Sequence, residues 1–282
     1  PAALGMDLIS YSPARVAKGD NSSNVVERAI EYWNGDEGKR GIVTLCWHWC
    51  PAARYDKSKS DPWGTFYTDK TKFNLARALN GSDPDGYQML LDDIDAIAVQ
   101  LKRLQDADVP VLWRPLHEAS GGWFWWGASG ADAYLQLYKL MYDRLTNVHG
   151  LNNLIWVWNG QDAAWYPGDE YVDIIGEDIY PGKHVYTSQA ARFIKALSYT
   201  DTRKLITLSE NGCIPDPEQL VRDNIMWSYW CVWEGEFVLK AAGFNNYSEQ
   251  YTEKNMLKKA YKSDTVITRK ELPDLWNYPL GD

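Results

Sequence analysis

Several signatures are missing from these 282 residues, and each absence removes a class of function. There is no G-x-G-x-x-G stretch and no P-loop, so dinucleotide and nucleoside-triphosphate chemistry have no phosphate cradle. Histidine occurs four times and never as H-E-x-x-H, which argues against a zinc hydrolase. No Ser-His-Asp order or nucleophile elbow fits the chain. The four cysteines (46, 50, 213 and 231) form no C-x-x-C pair, so a structural zinc knot is not indicated. Basic residues are outnumbered, 29 Lys and Arg against 38 Asp and Glu, and the net charge is −9. A nucleic-acid binder would normally show the opposite balance. No apolar run approaches the roughly 18 to 20 residues that span a bilayer. No Ser/Gly linker or charge run divides the chain, which reads as one domain over 1–282.

Phenylalanine is also scarce, with 6 residues, whereas tryptophan and tyrosine number 15 and 18. A core selected for packing alone would favour Leu, Ile, Val and Phe. Trp and Tyr join a flat apolar face to a polar tip. That combination suits a sugar ring, which has apolar C–H faces and a hydroxyl rim.

Apolar runs rich in Val, Ile, Leu and Trp alternate with amphipathic stretches. Strands are expected at 4–10, 41–49, 109–118, 153–159, 172–180, 204–212 and 227–236. Helices are expected at 22–33, 68–79, 86–106, 131–148, 188–197 and 248–262. Leu90, Leu91, Ile94, Ile97, Ala98, Leu101 and Leu104 give the third of these a clear apolar face. Continuous apolar strands between helices indicate a parallel sheet covered on both sides. The expected fold is a (β/α)8 TIM barrel, although only seven strands are found and residues 50–85 offer no eighth. Seven strands would leave two open edges. One more βα unit is therefore expected upstream of Pro1, separating the strands at 4–10 and 227–236.

In such a barrel, functional residues sit at the C-terminal ends of the strands. Those ends are rich in polar and aromatic residues, which a plain core would not tolerate. Two carboxylates stand out. Glu118 ends VPVLWRPLHE, before the Gly-rich ASGGWFWWG. Glu210 ends KLITLSE, before Asn211-Gly212. Such a pair meeting across a barrel mouth could supply the proton donor and the nucleophile of glycoside hydrolysis. The competing reading is a structural ion network with an arginine such as Arg114. His117 would point away from Glu118 in a regular strand, yet could line the mouth where the strand ends. Tyr180 could hydrogen-bond a carboxylate nucleophile. Of the many tryptophans, Trp233 is the expected sugar platform.

Cys46 and Cys50 would lie about 13 Å apart in extended chain, too far for a disulfide. Cys213 and Cys231 could face each other, but three connectivities stay open. Sequons at Asn21, Asn80 and Asn246, together with a start at Pro1, suggest a secreted protein whose signal peptide is not present in this chain.

The segments GMDLISYSP, GIVTLCWHW, VPVLWRPLHEASGGWFWWG, NNLIWVWN, YVDIIGEDIYPG, LITLSENG and VWEGEF together resemble glycoside hydrolase family 26, and within it the endo-β-1,4-mannanases. The tail VITRKELPDL is similar too. The resemblance covers nearly the whole chain, and its H-E-x-x-G-x-W-F-W-W match is highly specific. It implies a clan A (β/α)8 barrel and a retaining mechanism. Glu118 matches the acid/base and Glu210 the nucleophile. His117 matches the histidine before the acid/base. Trp123 matches a leaving-group aromatic, Tyr180 the tyrosine near the nucleophile, and Asp178 a polar residue of the same strand. Trp47 and His48 match a substrate-facing pair, and Trp233 the platform under the cleaved sugar. The pattern departs at Cys50, where relatives often carry a polar residue, and at the family's first strand and helix, which have no counterpart before Leu4. No cofactor is implied and no metal ligand is assigned; Asp and Glu are plentiful enough for a calcium site, but no EF-hand-type loop occurs. The expected partner is a mannan or glucomannan, bound by a monomer. A mixed-linkage glucanase is the same-fold rival, and a non-catalytic carbohydrate binder is the rival from another class.

Overall fold

The computed structural model describes residues 1–35, 39–240 and 246–279. Seven strands form one parallel sheet in sequence order: β1 Ala3–Asp7, β2 Ile42–Cys46, β3 Val111–Arg114, β4 Leu154–Trp158, β5 Ile174–Ile179, β6 Leu205–Asn211 and β7 Trp230–Val232. Among the described residues, eight α-helices accompany them: α1 Pro13–Ala17, α2 Val25–Asn34, α3 Leu75–Leu79, α4 Pro84–Asp106, α5 Ala131–Asp143, α6 Ala190–Leu197, α7 Pro217–Asp223 and α8 Lys254–Tyr261. The result is a nearly closed (β/α) barrel with one unit short of eight. Among the described residues, β1 ladders only with β2 and β7 only with β6. Instead of a shared ladder, the thiol of Cys231 on β7 reaches the Gly5 backbone of β1.

Residues 50–85 contribute no strand. They form short 3-10 turns and α3, which is much shorter than the expected 68–79 helix. Asn74 ends the extended chain there by accepting the Arg77 amide. This segment packs on the loop after β3 instead. The Thr68 amide donates to the Trp123 carbonyl at 2.7 Å, and its hydroxyl to the Gly122 carbonyl at 2.9 Å. Helices α1 and α7 were not expected. Both are short and start on proline, a residue compatible with the first helical turn.

Strand alternation sorts the side chains. On β2, Val43 and Leu45 face the helix layer and are fully buried, whereas Thr44 and Cys46 face the barrel interior. On β5, Glu177 points outward to Arg192 of α6 and to Tyr199, while Asp178 points inward. α4 closes the helix layer with Leu90, Ile94, Ile97, Ala98, Leu101 and Leu104 buried, as its apolar face requires. No helix among the described residues is long and apolar enough to cross a membrane. All four cysteines are free thiols.

Candidate active site

The strands end around an open cleft of about 880 Å³. β3 stops at Arg114, short of the expected end. The chain then turns through Leu116 and Glu118, both with positive φ (53° and 54°). Such backbone is uncommon for side-chain-bearing residues and clusters at functional sites. The Glu118 amide is tied to the Asn159 carbonyl at 2.7 Å. Because the strand has already ended, alternation no longer separates His117 from Glu118, and both line the cleft.

A β-bulge sets the opposite wall. Along β5 and β6 the register shifts between Glu177 and Asp178, so that Asp178 stands opposite Glu210 and Ser209 is the extra residue. The Ser209 hydroxyl donates to the Asp178 carboxylate at 2.7 Å. Gly176 makes room for this, since a Cβ there would lie 2.5 Å from the Ser209 oxygen.

Arg114 ties the site together. One guanidinium nitrogen donates to Asp178 at 2.7 Å and to Asn159 at 3.0 Å, and the other to Glu210 at 2.6 Å. The Tyr180 hydroxyl donates to the second Glu210 oxygen. Burial and the Glu210 charge push the Tyr180 phenol far up, so it stays a donor. Among the described residues, no arginine forms an ion pair with Glu118, although the Arg114 charge is near enough to lower its carboxyl. Its carboxylate accepts the Trp123 indole N–H at 2.8 Å. Burial, then the Glu210 charge, raise the Glu118 carboxyl above its ordinary value. One carboxylate oxygen each from Glu118, Asp178 and Glu210 fall within 4.8 Å of one another. The sequence posed an ion network with Arg114 and a catalytic pair as alternatives. The geometry joins them: Arg114 charges one carboxylate side and leaves Glu118 apart.

Two histidines back this centre. His48 Nδ1 lies 2.5 Å from an Asp7 oxygen, and His48 Nε2 lies 3.1 Å from His117 Nε2. Burial, with Arg114 and His48 nearby, drives the His117 imidazole well below its ordinary value, so the ring is neutral. The hydrogen-bond order that spares His117 an unpaired buried N–H is the following. His48 donates from Nδ1 to Asp7 and accepts at Nε2 from His117, whose Nδ1 is buried without a partner.

Trp123 and Tyr180 line the cleft and are 47% and 43% exposed, which leaves their ring faces open to a ligand. Gly121 permits this placing of Trp123, because a Cβ there would strike the indole at 2.0 Å. Trp233 lines the cleft edge-on to His48. Trp47 does not belong to the cleft lining. It is 1% exposed, stacks on Trp49 and donates to the Ser12 hydroxyl at 2.8 Å. The reason is alternation: His48 shares the inward face with Cys46, which sends Trp47 into the helix layer. Trp125 and Trp126 are likewise core, donating to the Trp49 and His117 carbonyls.

Tyr67, Phe124, Gln161, Trp165, Arg192 and Phe237 also line the cleft and were not singled out from the sequence. Gln161 and Trp165 follow β4 in NGQDAAW, where a tryptophan among polar residues beyond a strand end was the available signal.

Comparison with known proteins agrees with this geometry. The model of glycosyl hydrolase family 26 matches residues 1–271. A mannan endo-1,4-β-mannosidase of Thermothelomyces thermophilus is 44% identical over 273 residues, covering 96% of this chain and 54% of that protein. Mannan endo-1,4-β-mannosidase A of a Piromyces species is 37% identical over 273 residues, 97% of this chain and 42% of its own. Among solved structures, a GH26-CBM35 β-(1,4)-mannanase of Podospora anserina superimposes with a TM-score of 0.85 at 40% identity, covering 96% of this chain and 58% of that one. A β-mannanase from a symbiotic protist of the termite Reticulitermes speratus, complexed with gluco-manno-oligosaccharide, gives 0.80 at 35% identity, with 97% and 81% covered. The chain thus spans about half the length of the curated relatives it matches. With the match running through Glu118, Glu210 and all seven strands, the chain belongs to glycosyl hydrolase family 26.

Proposed function

We propose that this chain is a retaining endo-β-1,4-mannanase, with Glu210 as nucleophile and Glu118 as acid/base. The observation that carries the mechanism is the approach of the Glu118 and Glu210 carboxylate oxygens to within 4.8 Å. Retaining glycosidases hold their carboxyl groups about 5 to 5.5 Å apart, whereas inverting ones need about 6.5 to 9.5 Å to admit a water. Glu210 accepts hydrogen bonds from Arg114 and Tyr180, which fix its carboxylate for attack on the anomeric carbon. Glu118 is assigned as the proton carrier, in keeping with a carboxyl that burial and the Glu210 charge raise, despite the nearby Arg114, above its ordinary value. It gives that proton to the departing oxygen as the C–O bond breaks and Glu210 forms the glycosyl ester. It then takes a proton from the water that hydrolyses the ester. Trp123 and Trp233 offer aromatic faces to the sugars on either side.

The substrate reading rests on the relatives, whose names specify mannan, and one of which was solved with a gluco-manno-oligosaccharide. A mannan or glucomannan chain suits a cleft open at its mouth. Residues 1–282 serve as one catalytic domain, monomeric in solution. Secretion is part of the proposal, supported by the exposure of Asn21, Asn80 and Asn246.

Reducing-sugar release from mannan, compared with mixed-linkage β-glucan, tests the substrate. Proton NMR of the first-formed product tests the stereochemistry, with the β-anomer expected. Glu210→Ala should abolish turnover on every substrate. Glu118→Ala should keep glycosylation by substrates with a good leaving group, which need little protonation. Near-normal mannan hydrolysis by Glu210→Ala overturns the assignment.

A further inference from the structure

Asp7, Cys46 and His48 meet on the wall between the cleft and a smaller cavity of about 110 Å³ at the β1/β7 side. Asp7 and Cys46 are register partners on adjacent strands, and His48 follows on the same inward face. A carboxylate oxygen, the thiol sulfur and an imidazole nitrogen lie within 4.8 Å of one another. Zinc holds such ligands at about 2.0–2.3 Å, which sets neighbouring donor atoms roughly 3–4 Å apart. To hold an ion these donor atoms need to draw together by no more than about 1–2 Å. Thiolate and imidazole select zinc-class cations over magnesium or calcium. The nearby cation, Arg114, already has Asp178 and Glu210 on its two arms, and the surrounding carboxylates favour added positive charge.

We propose that Asp7, Cys46 and His48 form a binding site for a zinc-class divalent cation, and that its occupancy inhibits the enzyme. Binding releases the Cys46 thiol proton to solvent and engages His48 Nδ1, which in the free fold is bonded to Asp7. The His48 proton must then sit on Nε2. That reverses the bond to His117, which has to accept at Nε2 and carry its own proton on Nδ1, where no partner exists. The reversal leaves His117 with an unpaired buried donor and sets a dication on the cavity that Cys46 and Glu210 both line. The inhibitory half rests on the mannanase reading; the binding half does not.

The full chain titrated with Co2+ should bind one ion with a thiolate-to-cobalt charge-transfer band, displaced by Zn2+. The band should vanish in Cys46→Ser and in Cys46→Ala, and persist in Cys50→Ser, whose thiol lies elsewhere. Binding without the band, or a band unchanged by both Cys46 variants, overturns the site; the first of these would assign the ion to Glu118, Asp178 and Glu210. In mannan hydrolysis, Zn2+ should inhibit the wild type reversibly, with a chelator restoring activity. Cys46→Ser should need at least tenfold more Zn2+ for the same inhibition. A bound ion with unaltered hydrolysis overturns the inhibitory half. A metal-free wild type that is inactive on mannan, yet develops the Cys46-dependent band when Co2+ is added, overturns the mannanase reading and supports the metal site.

Discussion

The carboxyl of Glu118, the proposed acid/base, is set by opposing neighbours. Burial and the Glu210 charge raise its carboxyl, while the Trp123 indole N–H stabilises the ionised form and lowers it. An acid catalyst works only while protonated, so kcat/KM should fall as pH rises through this raised value. Trp123→Phe keeps a ring and removes the donor. The alkaline limb of the kcat/KM profile should then move to higher pH by roughly 0.5–1 unit, the equivalent of a hydrogen bond worth about 1 kcal/mol. The absolute rate should also drop, because the stacking face is smaller. An unmoved limb would mean that the Trp123 bond does not tune Glu118. The two glutamates themselves were legible in the sequence, because each ends an apolar run at a barrel mouth. Arg114 was legible only as a structural partner. Its sequence neighbours do not reveal that one guanidinium would bridge residues 64 and 96 positions away. Trp47 was misplaced because a motif shared with relatives says nothing about which face of a strand a residue occupies.

At the level of elements, α4 shows both the reach and the limit of periodicity. Its apolar stripe is visible in the sequence, yet Asp93 on the same buried face is not, since an acid reads as solvent-facing. Asp93 is 4% exposed because it accepts the Trp49 indole N–H at 2.6 Å, tying α4 to the segment after β2. Burial raises its carboxyl from 3.8 to about 7. The unfolded chain releases this proton near 3.8 and the folded one near 7, so in between the folded state holds the extra proton. Stability therefore falls as pH rises through that window, by about 4 kcal/mol at most. Asp93→Asn retains an oxygen acceptor for Trp49 and removes the titration. Urea unfolding at pH 4, 5.5 and 7 should show the wild type losing stability relative to the variant at each step. A constant difference between the two across that range would place the Asp93 proton elsewhere. Strand lengths were overestimated for a related reason. Beyond the ladders the chain turns at once, through Leu116 and Glu118 at positive φ after β3 and into a 3-10 turn at Gly235–Phe237 after β7, so polar mouth residues do not prolong a strand. β3 accordingly ends at Arg114 and β7 spans only Trp230–Val232.

For the whole molecule, the parallel order of seven strands was readable from βα alternation. The gap in the ring followed from counting, and the ladders bear it out on both flanks. What sequence could not indicate is how the two edges meet. Gly5 on β1 approaches so closely that a Cβ would lie 2.7 Å from the Cys231 sulfur, so a thiol occupies the place of a strand ladder. A thiol is a weak hydrogen-bond donor and acceptor and cannot replace the paired N–H and C=O groups of a strand. β1 and β7 are consequently held on one side each, whereas β2 to β6 are held on both. Local opening free energy follows the hydrogen bonds and packing that must be broken. In a chain of these 282 residues, hydrogen exchange should therefore be faster in peptides covering Ala3–Asp7 and Trp230–Val232 than in those covering β3 to β5, by at least tenfold. The contrast should hold on dilution, because it arises within one molecule. Equal protection across all seven strands, or edge protection that grows with protein concentration, would show that another segment or a second copy pairs with the edges, and the thiol-bridged seam would not be the state in solution.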